Sequence, residues 1–478
     1  MIPLGPARMH TAIPKRPPIQ QTERHRNMKK LLMSLMCLAL GASLFGADLY
    51  ISREKGSKQG PGTKEKPFKT LADAIRAARP GDTIYMAAGN YAGPAGACTI
   101  EINKPVTIKG GYSNDFASRD IAKFTTKIQP PNNKNNTKGT NGGVLFLNLP
   151  VGAGPDMVVD GIVINQGFMN CYDTMGKPQG VETGVWLEGP VKGSGDKFPS
   201  ANIYSINSPA ASRYEGNIII RNCIICNSGN FGINLNLFKG SVKILNNVFV
   251  ACRMISCNVA CSNRSTNIDC EFANNTVLFS WSRSKDLTKM GYGYSCNAHV
   301  SSNVHHNIFG LNVFAGIDDD KKGDMTTMAN SFDNNLFFLN RQGDVVVSGN
   351  RRLVHYFMAD DDYFEDIVDY PGIESAEGNV SLKDPPATFL DAIDDAYLKA
   401  FLNAVYSEKV DYDENSTANL FRAAMGMNKD GKIEPRITMF CNRYPLEKTF
   451  KLFGAHKDFG AQKPAAPAPA PAARDIIN

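Results

Sequence analysis

The sequence has little tryptophan and, beyond its first 47 residues, no excess of either charge. Only 2 of the 478 residues are Trp, whereas 42 are Gly and Asn is also abundant, as a β protein with many turns requires. The formal net charge is +6, but residues 1–47 hold seven basic side chains and one acidic one, and subtracting these from 52 and 46 leaves 45 of each sign. A neutral chain has no bulk electrostatic attraction to nucleic acid or an anionic membrane. We therefore expect no nucleic-acid partner.

The mostly apolar stretch near the N-terminus is too short to favour a membrane span. It runs over residues 31–46, which is 16 residues, whereas a spanning helix needs about 20. It follows Met28-Lys29-Lys30 and ends in small residues, a pattern typical of a secretory signal peptide. We predict a signal peptide at 28–47, with residues 1–27 as a mis-assigned upstream extension. The protein is then secreted, periplasmic or on the cell surface; a buried N-terminal helix is the alternative.

A short phrase recurs between residues 222 and 340, in which a polar residue and Asn precede two apolar residues. Equivalent positions are Asn222, Asn246, Asn274, His306 and Asn334, with spacings of 24, 28, 32 and 28 residues. A period of about 20 to 50 residues indicates stacked supersecondary units. Units this short, rich in β-branched and aromatic residues, favour parallel strands. We therefore predict an all-β solenoid with one coil per repeat.

Stacking of coils makes specific predictions about the repeated residues, because equivalent positions lie about 4.8 Å apart. The recurring Asn is expected at a turn, where it tolerates left-handed backbone and its amide bonds the next coil. The predicted ladder consists of Asn222, Asn246, Asn274 and Asn334. Val248, Ile308 and Leu336 are expected to stack as an aliphatic ladder inside the coil.

Residues 48–91, which precede the repeats, are expected to cap the N-terminal end of the solenoid. Thr70 is suited to cap a short helix with Asp73 in its first turn, and Pro80-Gly81 ends that helix. The phrases Leu49–Ser52, Gly60–Thr63, Pro67–Ile75, Pro80–Tyr85 and Gly89–Tyr91 resemble the N-terminal cap of secreted bacterial right-handed parallel β-helix proteins. Those proteins form a pectate-lyase-like superfamily with several polysaccharide lyase families and a large uncharacterised family. The resemblance implies a right-handed parallel β-helix whose partner is extracellular polysaccharide.

The domain organisation follows from these patterns. We predict a β-helix at 48–385, including the cap (48–91) and an insertion (166–216), then a small α-containing C-terminal subdomain at 386–461. A Pro/Ala-rich tail follows at 462–478. Long insertions are often functional lids or walls, and an inert decoration is the alternative. We expect a monomer.

Cysteines are concentrated in the repeats. Ten follow the predicted signal peptide, and seven of these fall between residues 223 and 296. One or two disulfides within Cys252–Cys270 are one expectation for a secreted chain. The other is that the cysteines are small apolar side chains stacked in the coil. Cys223-x-x-Cys226 has no second close pair of matching spacing, so no zinc site is predicted.

The resemblance implies two chemistries for an enzyme of this fold. One is β-elimination of a uronate-containing glycan, with a Lys or Arg base and a cation, often calcium, on the carboxylate. The other is hydrolysis by carboxylates. The paired Asp, Gly-His-Gly and Arg-Ile-Lys motifs of polygalacturonases are absent, as is a recognisable lyase Arg motif. No residue is therefore carried over from either family.

Candidate site residues come instead from one local grouping. The candidate catalytic residues are Arg283, Lys289 and His305. The candidate sugar-binding residues are Trp281, Lys285 and Tyr292. An ordinary charged turn is the alternative. Asp318, Asp320 and Asp324 are candidates for calcium, although such acidic runs are often solvated. Two functions stay open: a polysaccharide lyase, or a non-catalytic surface or adhesion protein.

Overall fold

The computed structural model describes residues 46–94, 99–129, 143–166, 204–209, 212–281, 291–319, 328–348, 354–405 and 444–464. The described residues from Ala47 onward belong to one compact unit. Its described strands build three long sheets, here called A, B and C, and the chain visits them in that order in each coil. The predicted all-β parallel β-helix is confirmed.

Sheet A has ten strands and is parallel throughout. In order across the sheet they are β1 (Asp48–Ile51), β2 (Thr83–Ala87), β5 (Thr107–Tyr112), β8 (Met157–Asp160), β11 (Ile218–Arg221), β14 (Ser241–Leu245), β17 (Ile268–Ala273), β20 (Val300–His305), β23 (Asn330–Asp333) and β27 (Ile373–Ser375).

Sheet B has nine parallel strands of three residues each. They are β3 (Gly89–Tyr91), β6 (Thr126–Ile128), β9 (Val163–Asn165), β12 (Ile224–Cys226), β15 (Val248–Val250), β18 (Thr276–Leu278), β21 (Ile308–Gly310), β24 (Leu336–Phe338) and β28 (Val380–Leu382).

Sheet C also has nine strands, all parallel except the last pair. They are β4 (Ile100–Ile102), β7 (Gly143–Leu147), β10 (Tyr204–Asn207), β13 (Ile233–Leu237), β16 (Ile255–Cys261), β19 (Tyr292–Ser295), β22 (Ala315–Asp319), β25 (Gly343–Ser348) and β26 (Val354–Phe357). The antiparallel β26 pairs with β25 at the C-terminal end of this sheet.

Short helices lie at both ends of the chain. They are α1 (Leu71–Ala77), α2 (Ala387–Leu390), α3 (Asp395–Val405) and α4 (Leu446–Thr449), with 3₁₀ turns at Phe364–Asp369 and Phe450–Leu452. The Thr70 hydroxyl accepts the Asp73 backbone N–H at 3.1 Å, as a cap should. Leu71, Ala74 and Ile75 are buried, so the predicted cap helix is confirmed. In the described part of the chain, every helix is too short or too polar to traverse a lipid bilayer.

Asparagine occupies the turn from sheet A to sheet B in coil after coil. The backbone is left-handed at Asn222, Asn246, Asn274, His306 and Asn334, with φ between 52° and 58°. The Asn246 side-chain amide donates to Oδ1 of Asn222 at 2.8 Å. The residue after each of the last four is also Asn and is fully buried: Asn247, Asn275, Asn307 and Asn335. These buried amides form a second ladder in which each Oδ1 accepts from the preceding coil.

The coil interior is aromatic and aliphatic. Phe272 stacks between Phe249 and Phe309 at 6.1 and 6.0 Å, and Phe309 stacks on Phe337 at 5.5 Å. All four belong to the main core cluster, which runs from Ile51 to Ile373. One continuous interior therefore spans the coils.

Val248, Ile308 and Leu336 do stack in register through Thr276, but outside the coil. They belong to a separate cluster with Phe389, Tyr397 and Leu452 of the C-terminal segment, here residues 386–405 and 444–464. The predicted interior position is wrong, because a three-residue strand turns its first and third side chains to one face and its middle one to the other. The interior ladder consists of the middle residues of the sheet B strands. The C-terminal segment covers the outer ladder, which is formed by Val248, Thr276, Ile308 and Leu336.

The C-terminal segment follows the turns of sheet B and bonds to them directly. Tyr444 and Asn227 exchange two hydrogen bonds, at 2.8 and 3.1 Å. The backbone N–H of Ala461 donates to Thr276 Oγ1 at 2.9 Å, and that of Gly460 donates to the His306 carbonyl at 2.8 Å. This segment therefore removes the outer apolar ladder from water.

The seven described cysteines are free thiols, and all except Cys261 are buried. The expectation of disulfides within Cys252–Cys270 is wrong for Cys252, Cys257, Cys261 and Cys270. The alternative, small side chains stacked in the coil, describes them, because Cys223, Cys252, Cys257, Cys270 and Cys296 belong to the main core cluster.

Candidate functional site

The outer face of sheet C carries a row of aromatic and apolar side chains at the start of its strands. Tyr204 of β10 packs against Phe231 at 5.2 Å. Further along the row, Tyr292 packs edge-on against Phe314 at 4.7 Å, and Phe314 contacts Tyr356 at 5.9 Å. Phe231, Tyr292 and Phe314 belong to a cluster separate from the coil interior. Tyr204 and Phe231 are half-buried and Tyr356 is 44% exposed, so these three present surface.

A row of polar side chains runs beside the aromatic row, three residues further along the chain, as Asn207 follows Tyr204 and Asn234 follows Phe231. Asn207, Asn234, Asn258, Ser295 and Asp318 are paired in register across β10, β13, β16, β19 and β22. The Asn234 amide donates to Asn207 Oδ1 and the Asn258 amide to Asn234 Oδ1, both at 2.8 Å. Ser295 Oγ donates to Asp318 Oδ2 at 3.1 Å.

Two successive residues separate the two rows, and both are buried in the coil. Ser205 and Ser256 point into the coil, where their hydroxyls bond those of Ser228 and Ser280. The next residue in each strand, Ile206 or Cys257, also lies in the core cluster. Two successive inward side chains leave the residues on either side of them facing outward. If inward and outward side chains alternated strictly, one of the two rows would point into the coil interior.

Ionisable groups on sheet C are few. Its nine described strands contain no Lys or Arg. Asp318 is 7% exposed and Asp344 is fully buried. Burial raises the pKa of Asp344 to about 6, although Asn340 and the Ala359 N–H donate to it. Among the described residues, no group of three or more His, Cys, Asp or Glu is placed to hold a metal ion.

His305 lies on sheet A, away from these two rows. Its Nδ1 is 3.1 Å from His306 Nδ1, and its Nε2 is 3.8 Å from Glu271 Oε1. Glu271 pairs with Lys243 at 3.1 Å. Burial, together with the neighbouring His306, lowers the pKa of His305, so the ring is mostly neutral near pH 7.

Four of the sequence-predicted site residues, Trp281, Tyr292, His305 and Asp318, lie in the described part of the chain. Tyr292 and Asp318 both lie on the sheet C face, on neighbouring strands, whereas His305 is on sheet A. Trp281 is fully buried, with the buried guanidinium of Arg253 over its ring at 4.9 Å. The other candidates, Arg283, Lys285, Lys289, Asp320 and Asp324, lie outside the described residues and stay predictions.

Sequence reasoning missed the amide row although a signal was present. Asn234 and Asn258 are 24 residues apart, the same spacing as Asn222 and Asn246, and follow them by 12 residues. They belong to the same sequence repeat but occupy a position 12 residues after the turn asparagine. A search of every phase of the repeat, and not only of the turn, would have found them.

One family model matches part of the chain. Residues 54–152 match the family model described as "Protein of unknown function (DUF1565)". Among curated protein sequences, none matches the chain.

Solved structures similar to this chain are distant. "The complex structure of XylC with xylose" shares 13% identity over 62% of this chain and 63% of that chain, with a TM-score of 0.34. "Rhamnogalacturonan lyase" shares 13% over 66% and 88%, with a TM-score of 0.34. "Crystal structure of pectate lyase Pel9A" shares 12% over 72% and 82%, with a TM-score of 0.31. The chain thus spans under two thirds of the first of these, and at such values the neighbours carry no statement about its activity.

Proposed function

We propose that this protein binds an extended extracellular polysaccharide along the outer face of sheet C. The observation that carries the proposal is the alignment of an aromatic row beside an amide row over successive coils. A sugar ring has apolar C–H faces and hydroxyl edges, which match aromatic faces and amide groups respectively. Because both rows repeat with the coil, at about 4.8 Å, the face suits a ligand that is itself long.

Three half-buried or exposed aromatic side chains, Tyr204, Phe231 and Tyr356, are the proposed contacts with sugar rings. Tyr292 and Phe314 are buried behind them and hold the row in place. Asn234 and Asn258 are half-buried and already bonded to each other. Such fixed groups lose little side-chain entropy on binding, which favours affinity.

Cleavage of a uronate-containing glycan by β-elimination is the proposed reaction. A base removes the proton beside the uronate carboxylate, and the released electron pair forms a C=C bond. The glycosidic C–O bond breaks with its electrons on oxygen, which takes up a proton from solvent, and an unsaturated sugar is left. Since the described strands of sheet C hold no Lys or Arg, the proposed base is Arg283 or Lys289. The chain enters β19 directly from the segment that contains them. Calcium, with Asp318, Asp320 and Asp324 as its proposed ligands, would neutralise the carboxylate.

A non-catalytic surface or adhesion protein is the second candidate function. It is favoured by one observation: among the described residues of the two rows, Asp318 is the single charged side chain. The elimination proposed above needs a Lys or Arg base, and the described residues of these rows include neither. Binding requires only the rows themselves.

Secretion belongs to the proposal as well. It rests on the basic start, apolar run and small residues of 28–47. Expression with the native leader in a bacterial host, followed by sequencing of the mature N-terminus, tests it. A mature chain that still begins at Met1 or Met28 contradicts secretion through this leader.

A panel of acidic and neutral polysaccharides tests the function. Binding is measured by affinity electrophoresis, and turnover by ultraviolet absorbance of unsaturated product, with and without calcium. Phe231→Ala and Asn258→Ala should each weaken binding by about tenfold, whereas Asn303→Ala, an exposed asparagine of sheet A, should not. Binding without product by the wild type selects the adhesion candidate. Product that persists in an Arg283→Ala/Lys289→Ala variant rejects those residues as the base. No binding to any glycan rejects the proposal.

A further inference from the structure

One coil departs from the asparagine ladder at the turn from sheet A to sheet B. The left-handed position is Asn222, Asn246, Asn274 and Asn334 in four coils, but it is His306 in a fifth, with φ 53°. Histidine tolerates this backbone, but it has no amide with which to continue a link such as that from Asn246 to Asn222. A residue that breaks the rule of its own repeat is a place where a function is expected.

His306 is paired with the residue before it, His305, which ends β20. Their Nδ1 atoms are 3.1 Å apart, and the two rings are perpendicular with centroids 5.3 Å apart. The centroid separation exceeds the nitrogen separation by nearly two ring radii, so the two Nδ1 atoms point at each other. In such a pair the Nδ1–H of one imidazole donates to the lone pair of the other.

The neighbours of His305 determine which of its nitrogens carries the proton. Its Nε2 faces Glu271 Oε1 at 3.8 Å, and a carboxylate there favours the proton on Nε2 and leaves a lone pair on Nδ1. Metal-ligating histidines are held by carboxylates in this way. Glu271 also pairs with Lys243 at 3.1 Å, and Asp333 lies beside His305 in register on the next strand. Two carboxylates and one ammonium leave the surroundings net negative, which suits a cation.

We infer that His305 and His306 form a binding site for monovalent copper, in which the ion takes the place of the proton between the two Nδ1 atoms. Cu⁺ has a filled d shell and binds two ligands in line, and imidazole nitrogen suits copper. Two nitrogens that each lie about 2.0 Å from one ion are about 4 Å apart when in line, so the rings need to separate by about 1 Å. The proton that leaves Nδ1 of His306 is replaced by one at Nε2 of the same ring, through solvent, and both rings stay neutral.

The rest of the site fits a two-coordinate ion. In the part of the chain that the structure describes, no third His, Cys, Asp or Glu completes a metal-binding group. The His305 side chain is 25% exposed, so an ion can reach it from solvent. The pair lies on sheet A and its turn, away from Asp318 of sheet C, and calcium prefers oxygen ligands. The copper site therefore does not depend on polysaccharide binding, and either proposal can fail without the other.

Cu⁺ binding by the full, untagged chain is measured by anaerobic competition with bicinchoninate, with ascorbate as reductant. All chains carry Cys261→Ser, because this half-buried thiol would also bind Cu⁺. His306→Asn places at this turn the residue that four other coils have there, so the fold should be kept. Binding should weaken at least about tenfold, because one of two ligands is lost. His355→Asn, at an exposed histidine elsewhere, is the matched control and should not change the affinity.

X-ray absorption at the copper edge identifies the ligands directly. The copper-loaded chain should show two nitrogen neighbours at about 2.0 Å and no sulfur at about 2.3 Å. Three results would overturn the inference: no Cu⁺ binding, sulfur as the neighbour, or equal affinities for the His306→Asn and His355→Asn chains. If His306→Asn does not fold, His305→Gln, a change at the surface of β20, takes its place with the same expected loss.

Discussion

Oδ1 of Asn275 accepts two hydrogen bonds from Asn247, one from the backbone N–H at 2.9 Å and one from the side-chain amide at 3.0 Å. Both residues are fully buried. The same double link joins Asn275 to Asn307 at 2.8 and 3.1 Å. Each coil is therefore held in one register on the next, and the rows on the outer faces inherit that register. The amide ladder is in this sense the scaffold of the candidate site.

Asn275→Ala should destabilise the protein strongly. The substitution removes an acceptor of two bonds and a donor to the Ile244 carbonyl at 2.8 Å, and it leaves buried groups of Asn247 unpaired. Each such group costs about 1–3 kcal/mol, so a loss of about 3–5 kcal/mol is expected in urea unfolding. Asn303→Ala, at an exposed position, is the control and should cost less than about 1 kcal/mol. Equal losses for the two variants would show that the buried ladder has no special role.

Gly460→Ala should loosen the C-terminal segment. Gly460 has φ +74°, and a Cβ there would lie 2.6 Å from Thr276 Oγ1 and 2.7 Å from Ile308 Cδ1. The segment must then move away from the outer ladder of sheet B, which should increase binding of a hydrophobic dye and speed proteolytic release of the segment.

Gly152→Ala is the control that distinguishes the strain of a positive φ from the steric clash of the added Cβ. Gly152 has φ +93°, but a Cβ there meets nothing within 4 Å, so it carries the backbone strain without the clash. The Gly460 variant should release its C-terminal segment several-fold faster than the Gly152 variant. Matching rates would mean that the close approach to Thr276 and Ile308 does not matter.

The fold could be predicted from the sequence because one residue type marks one turn. Asn tolerates the left-handed backbone seen at Asn222, Asn246, Asn274 and Asn334, and its recurrence therefore reports the coil directly. The cap helix could be predicted equally well, since the capping interaction joins Thr70 to Asp73, only three residues away. Local signals of this kind need no knowledge of tertiary contacts.

The inward and outward assignment could not be predicted, because it depends on what covers each face. Val248 and Phe249 are equally apolar and both fully buried, and only the C-terminal segment distinguishes their surroundings. The sheet C rows were hidden for a related reason. The two successive buried residues Ser256 and Cys257 break the period of two on which strand analysis depends.

Buried thiols should resist modification in the native protein. Burial raises the pKa of Cys223 to about 12, of Cys252 to about 11 and of Cys270 to about 12, and the thiolate is the reactive form. Cys261 is only half-buried. A short pulse of iodoacetamide followed by peptide mass spectrometry should label Cys261 well before these three.

Denaturant provides the control for that measurement, since all four thiols should then label at similar rates. Cys261→Ser should remove the fast-labelling peptide and leave the slow ones unchanged. Rapid labelling of Cys223, Cys252 or Cys270 in the native state, or recovery of any of them as a disulfide, would contradict the free, enclosed thiols described here.

Asp344 should make the stability of the protein fall as pH rises from about 4 to about 6. Burial raises its folded pKa from 3.8 to about 6, so between these values the folded state binds more protons than the unfolded state. The stabilising contribution is fully present below the unfolded pKa and is lost as pH rises through the folded one. A shift of about two units corresponds to about 3 kcal/mol. Asp344→Asn should remove this dependence.

The free energy of unfolding in urea at pH 4, 5, 6 and 7 measures the effect as the difference between wild type and variant. Because the amide keeps one oxygen for Asn340 or the Ala359 N–H but not for both, the variant should be less stable than wild type at pH 4. The gap should narrow or reverse by pH 7. Asp361→Asn, an exposed carboxylate in the chain after β26, should give a difference that does not vary with pH in this way. A wild-type minus Asp344→Asn difference that stays constant from pH 4 to pH 7 would mean that Asp344 is not held in the enclosed setting that raises its pKa.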